Sequence, residues 1–296
     1  MHANQHANLD DAVAVFGAVR PRLFGIAYRM LGTAADAEDI VQETWVRWQG
    51  TDRTVVLDPA AFLATTATRL SINVLQSAKS RRETYIGPWL PEPVDTSADP
   101  LLGAERAEAL GFAVLVVLER LTPLERAAYV LREAFAYSYG QIAEIVQHTE
   151  ASVRQLVSRA RKHVAGERRC PASPAEHRRL LDAFVRAAKT GDLADLERVL
   201  ADDVVSYSDG GGAVRASKFP VRGRETVAKF VRAFHTHFWD GVATTSTEAN
   251  GQPAVLLSKG GETFAVLTVV ASDQGIDQVL WMMNPAKLSA VATRVA

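Results

Sequence analysis

Two groups of side chains have the types and spacing to act on a large partner. Between residues 151 and 169 stand Arg154, Arg159, Arg161, Lys162, Arg168 and Arg169 against the single acid Glu167, a local charge of +5. Arginine donates in pairs to guanine edges and to phosphate, so a basic segment this dense suits nucleic acid. Earlier in the chain, Asp36, Asp39 and Glu43 recur at three and four residues. On a helix they form one acidic stripe, with Val41, Trp45 and Trp48 on another face. By periodicity alone the first is a solvated face and the second a core face.

The rest of the composition narrows the field. The chain has 296 residues, 48% hydrophobic and 23% charged, with a formal net charge of −1. Two or three domains fit in that length. Basic and acidic residues balance on both sides of residue 170, so only local patterning points to nucleic acid. The single cysteine, Cys170, excludes an internal disulfide and a cysteine zinc cluster. No long apolar run and no leader pattern stand in the sequence, so neither a membrane partner nor export is expected, and the location expected is cytoplasmic.

The elements that must position these groups read as follows. Residues from about 10 to 86 are helical, with Thr33 a plausible N-cap and Asp58-Pro59 opening a further helix. "GPWLPEPVD" at 87 to 95 and "DTSADP" after it interrupt the pattern. Helices resume to about 168, with Thr122, Pro123 and Glu125 forming a capping box. Within them "SYGQIAEIVQHTEASVRQLVSRARKHV" has the proportions of a helix-turn-helix whose second helix begins near Glu150. That helix would bury Val153, Leu156, Val157 and Ala160 and expose Ser152, Arg154, Gln155, Ser158, Arg159 and Lys162 to DNA. After 174 two helices lead into "DVVSYSD", "PAVLLSKG", "ETFAVLTVVAS" and "GIDQVLWMMN", strand-like runs with "SDQG" as a hairpin turn. The division expected is 1–86, a Pro-rich linker at 87–103, 104–170, and 174–296.

In this order the segments resemble a bacterial alternative sigma factor of the extracytoplasmic-function type. "AEDIVQETWVRWQ" is similar to the region that binds the polymerase clamp coiled coil, and "LTPLERAAYVLREAFAYSYGQIAEIV" with "ASVRQLVSRARKHV" to the −35-reading domain. The resemblance implies two all-α domains, RNA polymerase core and promoter DNA as partners, and a core-docking surface at Asp36, Asp39, Gln42, Glu43 and Trp48. It implies −10 contacts at Arg69, Asn73, Lys79, Arg81 and Arg82, and −35 contacts on the second helix of the helix-turn-helix.

One subgroup of these factors carries a C-terminal α+β cone-shaped barrel similar to the SnoaL and nuclear-transport-factor-like fold. Its signatures "WLPEP", "DGGG" and "NPAKL" all stand here. They make Trp89, Leu90, Pro91, Asp209, Gly210, Gly211, Gly212, Asn284, Pro285 and Lys287 the expected interdomain regulatory residues. In minimal members the linker threads the polymerase near its active centre. The reading here is that Trp89 and Leu90 anchor the linker on the C-terminal domain; the alternative is that Trp89 covers its own N-terminal domain.

Barrels of this kind often hold a polar pocket, for which Asp209, His235, His237, Trp239, Asp240 and Trp281 are available. His235 and His237, two residues apart on a helical segment, face different ways, and no nucleophile stands paired with a base. No catalytic residue, metal or cofactor is therefore assigned, and no separate anti-sigma partner is expected. The competing function is a ligand-binding or enzymatic SnoaL-like domain tethered to DNA by the helix-turn-helix.

Overall fold

The computed structural model describes residues 2–82, 85–94, 112–165 and 170–292. The chain packs as two compact units. Of the described residues, 2–82 and 117–165 make the first and 85–94, 112–116 and 170–292 the second.

The first unit is helical. Its opening bundle contains α1 (His2–Leu31), α2 (Ala34–Gly50) and α3 (Pro59–Arg82). Leu23, Ile26, Ala27 and Met30, at spacings of three and four, are all fully buried on α1. Gly32, at φ +78°, ends that helix in the left-handed conformation a side chain resists. Thr33 then caps α2 by accepting from the Asp36 amide at 3.3 Å, and Asp58 caps α3 by accepting from the Ala61 amide at 3.0 Å. Trp48 is only 1% exposed, and its Nε1 donates to the Ala12 carbonyl at 3.2 Å.

After α4 (Phe112–Leu118) the capping box of Thr122 and Glu125 starts α5 (Pro123–Tyr129), which continues as a π turn over Val130–Ala134. Ser138 and Gln141 form a second capping box at the start of α6 (Tyr139–Val146). Gln147, at φ 57°, turns the chain into α7 (Glu150–Ala165). Val153, Leu156, Val157 and Ala160 are buried as the periodicity requires. The two bundles are joined by arginines. Arg126, 2% exposed, donates from Nε to the Arg29 carbonyl at 2.9 Å and pairs with Glu119 at 2.5 Å. Burial pulls its guanidinium down to about 9, which leaves it charged at neutral pH.

In the second unit α8 (Pro174–Thr190) and α9 (Leu193–Val199) precede a six-stranded sheet. Its strands are β1 (Leu200–Asp209), β2 (Val221–Arg222), β3 (Val242–Ala249), β4 (Gln252–Lys259), β5 (Glu262–Ser272) and β6 (Gly275–Met282). The helices α10 (Arg224–Ala233) and α11 (His235–Phe238) lie between β2 and β3, and α12 (Pro285–Ala292) closes the described chain. Strand order is β2-β1-β6-β5-β4-β3; β1 runs parallel to β6 and every other pair is antiparallel. The central strands read as unbroken apolar runs because both faces are covered. One face buries Leu257, Leu267 and Val279 against Phe184 of α8; the other buries Leu256, Val266 and Leu280 with Leu90, Val116 and Leu288.

The strand expectations hold for β1, β4, β5 and β6, and Ser272 pairs with Gly275 across the foreseen turn. Two strands escaped notice. The edge strand β3, "VATTSTEA", is polar and largely exposed, and β2 has two residues. The segment "KFVRAFHTHFWD", expected as one helix, is divided at Phe234 into α10 and α11.

Replacing Trp48 by alanine should destabilise the first unit by about 3–5 kcal/mol through cavity formation. The Glu43→Ala change on the exposed face should stay within about 0.5 kcal/mol. Urea unfolding of the two variants distinguishes core from surface.

Candidate functional site

The densest polar constellation in the second unit is built on the end of β1. Successive strand residues point to opposite faces, so Tyr207 and Asp209 share one face while Ser206 and Ser208 share the other. The Asp209 carboxylate is fully buried. Its Oδ1 accepts from the Tyr85 hydroxyl at 2.5 Å and the Gly211 amide at 3.1 Å. Its Oδ2 accepts from the Leu90 amide at 2.9 Å and from Lys287 Nζ at 2.7 Å. Lys287 Nζ also donates to the Leu90 carbonyl at 2.5 Å and lies 4.0 Å from the centre of the Trp89 ring, a cation–π contact. Asn284 Nδ2 donates to the Tyr85 hydroxyl at 2.9 Å.

Thus both backbone polar groups of Leu90 are satisfied, the N–H by an acid from the end of β1 and the carbonyl by a base from α12. A second clamp lies four residues on, where Asn250 donates its amide to the Val94 carbonyl at 2.8 Å and accepts the Val94 amide on Oδ1 at 3.0 Å. Prolines 88, 91 and 93 have no N–H to leave unpaired. The Leu90 side chain is fully buried on the sheet. Gly211, at φ +59°, is obligatory: a Cβ there would stand 2.3 Å from Asn284 Nδ2.

The three sequence signatures therefore converge on one site, where Leu90 packs on the C-terminal sheet and Trp89 against Lys287 of α12. Tyr85 and Asn250 belong to the same site and were missed. Neither stands within a signature, although Asn250, at φ 54° in the β3–β4 turn, has a residue type suited to that conformation. Burial, then the hydrogen bond to Asp209, raises the Tyr85 phenol far above its ordinary value.

On the helical unit Asp36, Asp39, Gln42 and Glu43 are exposed along α2, with Glu43 paired to Arg47 at 2.9 Å. Trp48, expected on the docking surface, is instead part of the core. Its position on the apolar face of α2, which the periodicity had indicated, decides its burial.

On α7, Arg154, Gln155, Ser158, Arg159 and Lys162 are exposed and Ser152 is half-buried. Arg154 stacks over the Tyr139 ring at 4.3 Å and pairs with Glu150 at 3.3 Å; Arg159 pairs with Glu125 at 2.7 Å. Arg69, expected at −10 DNA, is committed elsewhere: its guanidinium donates to the carbonyls of Ile145 at 2.8 Å and Glu144 at 3.0 Å, at the end of α6. The exposed carbonyls and negative dipole of a helix C-terminus account for this pairing. Asn73 is exposed on α3, and the side chains of Lys79, Arg81 and Arg82 lie outside the described residues.

The candidates for catalysis are dispersed. Asp209 is engaged with the linker, His235 Nδ1 contacts the Arg232 carbonyl at 2.8 Å, and Asp240 lies 4.0 Å from Lys259. His237, Trp239 and Trp281 line a separate cavity. Among the described residues no three His, Cys, Asp or Glu side chains cluster as metal ligands, and no helix is long and apolar enough to cross a membrane.

Residues 15–81 match the Sigma-70 region 2 family and residues 112–164 the Sigma-70 region 4 family. The chain is 42% identical over 239 residues to the ECF RNA polymerase sigma factor SigJ of Mycobacterium tuberculosis, covering 78% of this chain and 75% of the relative. It is 31% identical over 284 residues to the probable ECF sigma factor SigI of the same species, covering 94% and 95%. The crystal structure of M. tuberculosis SigJ matches with a TM-score of 0.76 at 34% identity, over 94% of this chain and 98% of that one.

Because the folded state holds the Tyr85 proton more tightly than the unfolded state, its contribution is complete below the ordinary value of 10.0 and is lost as pH rises beyond it. Tyr85→Phe should therefore flatten the alkaline fall in stability of the second unit, read as the difference in denaturation midpoint between wild type and variant from pH 9 to 11, about one unit either side of the free phenol.

Proposed function

Because the chain belongs to the extracytoplasmic-function RNA polymerase sigma factors, we propose a function in which each described site takes one step of promoter-specific initiation. The acidic stripe of Asp36, Asp39, Gln42 and Glu43 docks on the polymerase core. Helix α7 reads the −35 element through Arg154, Gln155, Ser158 and Arg159, with Ser152 and Lys162 positioning on phosphate. The α3 helix serves the −10 element, with Asn73, Lys79, Arg81 and Arg82 in contact and Arg69 joining once its carbonyl partners are released. The division into 1–86, 87–103, 104–170 and 174–296 follows these roles.

Opening of the helical unit is part of this function. The −10 and −35 elements lie roughly 85 Å apart along B-DNA at about 3.4 Å per base pair. Helical modules held together through Arg69 and Arg126 do not span that distance. The region 2 and region 4 bundles must therefore separate on the promoter, breaking the Arg69 bonds to Glu144 and Ile145.

The C-terminal barrel acts as a built-in regulator, taking the place of a separate anti-sigma protein and catalysing nothing. The observation that carries this reading is the grip of Asp209 and Lys287 on the Leu90 peptide. A linker whose backbone is satisfied by the barrel is not free to thread the polymerase.

Run-off transcription from genomic DNA with bacterial core polymerase tests the reading. Wild type should yield new start sites, and the full-length double variant Asp209→Asn with Lys287→Met should change their yield at unchanged start positions. No new starts with either protein, together with no binding to core, would sink it. Arg154→Ala should cost about 1–3 kcal/mol and relax preference at one −35 position, whereas Lys162→Ala should weaken all sequences alike. Binding to a library of −35 variants separates the two.

A further inference from the structure

The second unit holds a cavity of about 570 Å³ that the linker site does not use. It lies on the opposite face of β1, with Ser208 on its wall where Asp209 faces the linker. Its size is that of a small-molecule site. Elsewhere in the domain Phe184, Leu257 and Leu267 are packed to complete burial, so the opening is not general looseness.

The chemistry of the walls is specific. Phe238 stands edge-to-face at 5.2 Å from Trp239 and 5.6 Å from Trp281, and Phe230 at 5.1 Å from Phe234. Interlocked rings form a rigid aromatic wall, the partner of a flat apolar molecule. The indole N–H of Trp281 is taken by Ser206 Oγ at 3.2 Å, which removes a donor from the cavity. Phe234, 49% exposed, stands at its border. Against these rings the lining contains one permanent cation, the exposed Arg215, one imidazole, His237, and no carboxylate. Arg215 makes no ion pair among the described residues, and a guanidinium in that position pairs with a carboxylate through two parallel bonds.

We infer that this cavity binds a small planar organic acid, its aromatic rings against Phe238, Trp239 and Trp281 and its carboxylate on Arg215. The one base in the lining, His237, has no hydrogen bond to Ser208 or Ser217 among the described residues, so no activated nucleophile stands beside the ligand. The loop that contains Arg215 and Ser217, together with Ser208 of β1, also lies beside the linker. A Cβ built on Gly87 would lie 3.6 Å from the Ser217 carbonyl and 3.9 Å from the Ser208 carbonyl, and both residues line the cavity. Occupancy of the cavity is therefore coupled to the hold on the linker. For its effect on transcription, though not for binding itself, this rests on the regulatory role given to that hold.

The test uses the full-length protein with a series of aromatic carboxylates of one to four fused rings, from benzoate upward, beside the matching carboxamides. At least one carboxylate should raise the melting temperature in a concentration-dependent way. It should bind at least tenfold more tightly than its amide, and Arg215→Gln should abolish that preference. No stabilisation by any member, or equal binding of acid and amide, overturns the assignment. Hydrogen exchange at the Leu90 amide, which Asp209 accepts, should change on saturation with the tightest acid. Binding that leaves it unchanged overturns the coupling alone, and the Asp209 and Lys287 transcription assay judges the linker's role independently.

Discussion

A carboxylate removed from water is stable only if its lone pairs are filled, and Asp209 is filled largely by groups that come from the linker and from α12. That requirement organises the second unit. The negative charge has to be matched by Lys287, the ammonium needs further acceptors, and the Leu90 carbonyl supplies one. Removing the linker would leave a buried acid and base short of partners, so the barrel is incomplete without residues 85–94. An apolar Leu90 seated on an apolar sheet would bind with little positional definition; the two charge-assisted bonds to its peptide fix the register.

The helical unit uses arginine differently. Arg126 is sealed between bundles and its charge is met by a carbonyl and by Glu119. Arg69 makes its bonds at a half-exposed border, to carbonyls left over at a helix end. Bonds of the second kind are readily exchanged for water or phosphate, while loss of the first strands a buried cation. Separation of the two bundles therefore costs little at Arg69 and most at Arg126.

Much of this was legible in the residues. The caps at Thr33, Asp58 and Thr122, the buried stripe of α7 and the hairpin at Ser272 follow from local rules, and the local rules prevailed. Periodicity placed Trp48 on the core face of α2, whereas family resemblance placed it on the docking surface; the buried ring follows the periodicity. The bonds of Arg69 to α6 could not be foreseen, because an exposed arginine suits phosphate and a helix C-terminus equally and the carbonyl it meets lies 76 residues away. The linker signatures could be named from their motifs, but Tyr85 and Asn250 could not, since their partnership with Asp209 and Val94 exists only after the sheet has formed. Strand β3 was hidden because an exposed edge carries threonine and serine where a central strand carries valine and leucine.

The distance in sequence between Tyr85 and Asn284, 199 residues, gives the linker site a history. Both DNA-reading modules have been made by Ala165, where α7 ends, but Lys287 lies 122 residues further along. At about 5–20 residues per second, a growing chain spends roughly 6–24 seconds with complete helical modules and no Lys287 to close on Leu90. For that interval the linker has no Lys287 to meet the Leu90 carbonyl, so the order of elements along the chain also sets an order in time.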